Sequence, residues 1–205
     1  MKNHKATVET EIIASDDGKH TYELIKRLVG VDGERGYMVL LYPTRTEDNI
    51  FSNDSTLTHL VSHMQDLGFN ELHIINLFSK VVNCKMSTRG LSVDEDNMQY
   101  IEKLMSSKEF SESKFVIAWG NSMQNSQAVA DSKVRILNML LKHCPKNKLY
   151  QLATVDRKID STVVPHPLYI GIRASGATWS LQEFKLQKPK QTLIDKSKTP
   201  KIVKK

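Results

Sequence analysis

The chain has 205 residues, of which 40% are hydrophobic and 25% charged. That size and composition fit one globular domain with a sizeable core and exclude wholesale disorder. No apolar run approaches the ~20 residues of a membrane span, and Met1-Lys2-Asn3-His4-Lys5 leads into Thr and Glu instead of the apolar stretch of a secretory signal. The formal net charge is +6, yet eight lysines against one aspartate from Lys185 to Lys205 leave the first 184 residues at about −1. The expected organisation is therefore one near-neutral domain over 1–184 and a basic tail over 185–205. Such a tail is either simply solvated or makes sequence-independent contact with nucleic acid. Cys84 and Cys144, far apart and without metal-ligand spacing, read as free thiols in a reducing, cytoplasmic compartment.

Residues 10–14 and 20–25 flank Asp16-Asp17-Gly18, which predicts a β-hairpin over 9–28. After a connection containing Gly30, Gly33 and Gly36, residues 37–42 form a continuous apolar run, a strand buried on both faces that stops at Pro43. A polar loop over 44–53 follows. The helix after it carries Leu57, Leu60, Val61, Met64 and Leu67 on one side, with Asn53 or Asp54 as cap and Gly68 at its close. A second buried strand is predicted at 72–78, then a helix from about Asp94 with Ile101, Leu104 and Met105 inward. The third strand covers 115–119 and ends at Gly120. A helix from about Asp131 turns Val134, Leu137, Leu140 and Leu141 to the core, and residues 149–153 make a fourth strand. A loop then reaches Pro165-His166-Pro167-Leu168-Tyr169.

Four alternations of strand and helix predict an α/β three-layer sandwich with a mainly parallel, four-stranded central sheet, plus the N-terminal β-hairpin. Right-handed crossovers put the post-strand loops on one edge, where ligands bind in such sheets. That edge collects residues 42–53, 76–83, 119–125 and the His166 loop.

Asn76, between Ile74-Ile75 and Leu77-Phe78, either bonds neighbouring loop backbone or presents its amide to a ligand such as the edge of a base. His166 between two prolines is either a stiff surface turn or a rigidly held catalytic imidazole. Leu168 and Tyr169 are core residues or exposed wedges for a base stack. In the 44–53 loop and just after it, Asp48 and Asp54 are solvated, capping or water-orienting carboxylates, Asp54 most simply an N-cap, and Phe51 can stack on a planar ligand. His59 and His63 lie off the apolar face of their helix without the Glu of a zinc-protease motif, so no metal site is expected. The glycine series precedes a strand, which rejects a dinucleotide fingerprint, and neither a P-loop nor a nucleophile elbow is present.

Tyr42-Pro43-Thr44 with Asp54-Ser55-Thr56, then Asn76-Leu77-Phe78, Asp96-Asn97, Ala118-Trp119-Gly120 and His166-Pro167-Leu168-Tyr169 together resemble the pattern of a bacterial and phage domain family of unknown function, over about residues 23–174. That layout is in turn similar to the uracil-DNA glycosylase superfamily. The resemblance implies that fold, and implies that Asn76 reads an extruded base and His166 stabilises its departing oxygen. Leu168, with Tyr169 beside it, would take the wedge position in the duplex. Phe51, Tyr42 and Phe78 complete the candidate base-binding set. Tyr42 stands where that superfamily carries a water-positioning Asp or Asn, which leaves Asp48 and Asp54 as candidates for the water. The expected function is a DNA glycosylase acting on a damaged or modified base, without metal or cofactor. Two alternatives stay open: a noncatalytic nucleic-acid or nucleotide-binding module on the same fold, and an enzyme acting on small nucleosides or nucleotides.

Overall fold

The alternation in the first thirty residues folds into two antiparallel strands, β1 (Thr7–Ala14) and β2 (Thr21–Val29), with Gly18 at positive φ in the turn between them. In the computed structural model, which describes residues 1–82, 85–143, 149–158 and 163–185, the chain continues through β3 (Glu34–Leu40), α1 (Ser55–His63), β4 (Phe69–Asn76), α2 (Glu95–Met105), α3 (Lys108–Ser111) and β5 (Lys114–Ile117). It ends with α4 (Gln127–His143), β6 (Leu149–Thr154), α5 (Pro167–Arg173) and β7 (Trp179–Glu183). Both cysteines and the tail beyond Lys185 lie outside the described residues.

The sheet is larger than the four strands expected. It is a mixed, seven-stranded sheet in the order β1-β2-β4-β3-β5-β6-β7. The pairs β4–β3, β3–β5 and β5–β6 are parallel, while β1–β2, β2–β4 and β6–β7 are antiparallel. The hairpin is thus part of the sheet. Side chains on the pleat lock it there: His73 on β4 meets Glu23 Oε1 of β2 at 2.6 Å through Nδ1, and Glu71 Oε1 at 2.7 Å through Nε2. Tyr100 from α2 donates to the other oxygen of Glu23 at 2.5 Å. Burial pushes the Glu71 carboxyl up, but bonds from His73, Arg27 and Arg35 override it and hold the group down at about 2.

The strand β3 begins earlier than predicted and takes Gly36 into its ladder, paired with Leu72 and Lys114. A Cβ at Gly36 would come within 2.3 Å of the Phe69 ring, which is wholly buried. Packing, and not a turn, demands this glycine. Helices cover both faces. Leu57 and Leu60 of α1 and Ile170 of α5 join Leu24, Met38 and Ile74 in one core cluster. Met98 and Ile101 of α2, Phe110 of α3 and Ile136 of α4 join Val39, Ile75 and Ile117 in the other. The helix α4 starts at Gln127, four residues before the predicted Asp131, because Ala128 and Val129 are also buried. Among the described residues no helix is long and apolar enough to cross a membrane.

The chain steps from β3 to β4 on one side, then returns across β3 to β5 on the other. Loops after β3 and β5 therefore diverge to opposite faces and open a crevice at the carboxyl ends of the strands. Overpacking beneath β3 tests the core: Gly36→Ala is expected to cost about 1–3 kcal/mol in urea unfolding, and a loss under about 0.5 kcal/mol would contradict the packing role of Gly36.

Candidate functional site

Beyond β3 the ladder continues for two more bonds, Leu77 N–H to Leu40 O at 3.0 Å and Phe78 N–H to Leu41 O at 3.2 Å. The chain then turns at Pro43. The Thr44 hydroxyl donates to one carboxylate oxygen of Asp54, whose other oxygen caps α1 by accepting Leu57 N–H at 2.8 Å. The two ends of the 44–53 loop are thus pinned together beside the sheet. They wall a cleft of about 360 Å³, within the usual range of small-ligand sites.

Asn76 ends β4 on the cleft floor, only 4% exposed. Its backbone carbonyl accepts from Asn97 Nδ2 of α2 at 2.9 Å, but its side-chain Oδ1 is buried without a partner. Asp94, the cap of α2, accepts both the N–H and the hydroxyl of Ser79, at 2.8 and 2.7 Å. Two polar clamps from α2 therefore fix the chain around Asn76 and leave its amide unused. An unpaired buried amide oxygen costs about 1–3 kcal/mol.

His166 lines the same cleft. It is the N-cap of α5: extended backbone, Pro167 at the first helical position, and Nδ1 accepting Leu168 N–H at 3.2 Å. A ring nitrogen that accepts a backbone N–H carries no proton, so the imidazole is neutral with its proton on Nε2. Burial supports this state, pulling the imidazole from 6.5 down to about 4 against the opposing pull of the Asp54 carboxylate. Behind it, Gly120 ends the Ala-Trp-Gly segment at φ 68°, and a Cβ there would stand 2.8 Å from His166 Cβ. Glycine is required twice over, by backbone and by contact. Lys133 of α4 steadies this corner, with Nζ 3.4 Å from Gly120 O and 5.4 Å from the Trp119 ring centroid.

Of the residues singled out from the sequence, Tyr42, Asp54, Asn76, His166 and Leu168 line this one cleft. Tyr169 stands exposed on α5, beside an adjoining groove that shares Ser122, His166 and Leu168 with the cleft. The rigidity of His166 comes from its capping role at a helix, so Leu168 and Tyr169 lie in a first helical turn instead of a loop. Three of the residues singled out lie away from the cleft. Phe78 is buried in the core cluster on the α2 side, since β4 ends at Asn76 and the side-to-side alternation stops there. Phe51 is fully exposed, and Asp48 sits exposed on a single 3-10 turn, Glu47–Asn49; neither lines the cleft. Conversely, Thr21, Thr44, Arg45 and Ser122 line the cleft and were not singled out as site residues. Thr44 stood inside a recognised motif, whereas Thr21 arrives only because the hairpin joins the sheet.

Fold and cleft together define a mixed α/β protein with its polar groups gathered at the carboxyl ends of β3, β4 and β5. The chain belongs to the family described as "Protein of unknown function (DUF1643)", whose match covers residues 22–168. No curated protein matches it. Among solved structures it is similar to a mutant feruloyl esterase module from Clostridium thermocellum complexed with sinapinate, at 11% identity and a TM-score of 0.32. That match covers 68% of this chain and 51% of the other, so the chain spans about half of the esterase module's length.

The imidazole gives the site a pH signature. An unfolded imidazole takes up its proton near 6.5, while folded His166 refuses it until about pH 4. Its contribution to stability is thus complete above pH 6.5 and is lost as pH falls towards 4. His166→Asn is expected to lose less stability than the native chain across that interval, and nitrogen-15 NMR of the native chain should report the Nε2–H tautomer throughout it. A ring titrating near 6.5 would contradict the assignment.

Proposed function

We propose that the chain is a DNA glycosylase that hydrolyses the N-glycosidic bond of an extruded damaged or modified pyrimidine, leaving an abasic site, on a fold of the uracil-DNA glycosylase type. The observation that carries this reading is that one cleft is lined by both Asn76, whose amide oxygen is buried without a partner, and a neutral imidazole at His166. An amide offers a donor and an acceptor to the edge of a base. A flipped base leaves the stack at a cost of a few kcal/mol, least when it is damaged or mispaired.

Once the base is seated, the bond from C1′ to the base nitrogen breaks and its electron pair goes to the base. Negative charge gathers on a base oxygen, and His166 Nε2–H donates to it. A neutral donor suits this role, because it is already placed and needs no protonation step at neutral pH. The sugar becomes cation-like, as in other glycoside cleavages. Asp54 is the carboxylate of the cleft: two of its lone-pair positions hold Leu57 N–H and the Thr44 hydroxyl, and the others accept from an attacking water. Water oxygen bonds C1′, and its proton passes through that carboxylate to solvent. Leu168 and Tyr169 fill the gap left in the stack. The lysine-rich tail retains DNA without reading its sequence.

One observation favours the noncatalytic reading: Tyr42 occupies the cleft where a water-holding Asn or Asp is expected, and Asp48 stays in solvent. An abasic-site assay separates the two. The panel contains uracil, damaged pyrimidines and glucosylated hydroxymethylcytosine, in single and double strands. One substrate is expected to give abasic sites, with His166→Ala slowing cleavage by about a hundredfold and Asn76→Ala abolishing recognition. Unchanged turnover in folded His166→Ala would remove its assigned role. Salt-sensitive binding with no product from any substrate would leave the binding module.

A further inference from the structure

Arg45 lies on the cleft wall between Thr44 and the start of α1. Its Nε is buried and has no hydrogen-bond partner, and no ion pair engages its guanidinium among the described residues. Nearby, Lys26 is 3% exposed and rests on two neutral oxygens, Thr10 Oγ1 and Asn53 Oδ1, both at 2.8 Å. Burial, and secondarily Arg45 itself, hold the Lys26 ammonium below its ordinary range. Two cations thus stand close together without an acidic partner among the described residues. Asp54, the carboxylate of the cleft, accepts from the Thr44 hydroxyl and from the α1 backbone and makes no ion pair with either cation among the described residues.

The chain leaves Asp54 into Ser55 and Thr56, which also line the cleft. Their N–H groups belong to the open first turn of a nine-residue helix, and Asp54 caps only Leu57. Such amides, beside an arginine fork, accept anionic oxygens. Independently, the unpartnered Asn76 amide marks this cleft as built to be filled.

We propose that this corner is a phosphate subsite, in which the Arg45 guanidinium and the first turn of α1 hold the phosphate of the nucleotide whose base meets Asn76. The inference rests on the reading of the cleft as a base pocket and adds to it a charge requirement: the substrate is a nucleotide or nucleic-acid phosphodiester, not a free nucleoside. An anion here relieves the repulsion between Arg45 and Lys26, and the planar fork favours phosphate geometry over a point contact.

The test is residue-resolved NMR on the full chain, because phosphate bound by the lysine tail then appears at other signals. Inorganic phosphate is expected to shift Arg45 Nε–H and the amides of Ser55 and Thr56 to saturation. Arg45→Gln should weaken that saturation by about tenfold or more, and Arg45→Lys, which keeps charge but loses the fork, should fall between. Thymidine 5′-monophosphate and a thymidine dinucleotide distinguish the sources: tighter Arg45-dependent binding of the first indicates a free nucleotide, of the second a strand. Unmoved Ser55 and Thr56 signals, or native-like saturation in an Arg45→Gln protein whose remaining spectrum is unchanged, would overturn the subsite. Loss of the subsite with base cleavage intact would sink this inference alone, and Arg45-dependent phosphate binding without cleavage would sink the glycosylase alone.

Discussion

The N–H of Leu168 points at Nδ1 of His166 because His166 is the residue that begins α5 and its side chain must satisfy an open helical donor. That one bond, with the burial around it, settles which ring nitrogen carries the proton and keeps the ring uncharged at neutral pH. Pro167 fixes the backbone entering the helix, and Gly120 lets the end of β5 approach the ring without a clash. Pro167 and Gly120 thereby set where the ring sits at the cleft. The neutral, proton-donating state of the ring at neutral pH follows from a capping arrangement.

Asn76, at the end of β4, is held in a comparable way. The helix α2 and its cap place Asn97 and Asp94 against the backbone at and after the end of β4, while the side-chain oxygen of Asn76 stays buried without a partner. Stability alone would favour an apolar residue there. The cleft thus combines an unsatisfied polar oxygen with a fixed donor, and Arg45 adds a cation that no ion pair engages among the described residues. Such an accumulation of unsatisfied groups at one topological switch point is characteristic of a ligand site.

Much of this was legible in the sequence where burial imposes a period. The apolar runs at 37–42, 72–78 and 115–119 are strands because both faces of the sheet are covered, and Asp54 reads as a cap because an acceptor is needed before Leu57. The edge bearing Tyr42, Asn76, Trp119 and His166 followed from crossover handedness alone. What was hidden depends on long-range partners. Pairing of the hairpin with β4, which brings Thr21 to the cleft, leaves no local mark. The strand β7 is short, with half-polar residues, and Gly36 disguises the start of β3 because its reason is the ring of Phe69, far along the sequence on β4. Phe51 and Asp48 sit in a loop, where no periodicity tells which way a side chain faces.

Helices on both faces, a switch of direction at β3 and a loop pinned by Thr44 and Asp54 give this fold a cleft with Arg45 on its wall. The central claim is that a base enters this cleft and leaves its sugar. The most direct measurement is mass spectrometry of the small molecules released when the purified chain is incubated with DNA from several sources, including phage DNA with modified pyrimidines. The account requires a free base in the filtrate and an equal number of aldehydic abasic sites in the polymer. Intact DNA and an empty filtrate, from a protein whose NMR spectrum is that of the folded chain, would contradict it.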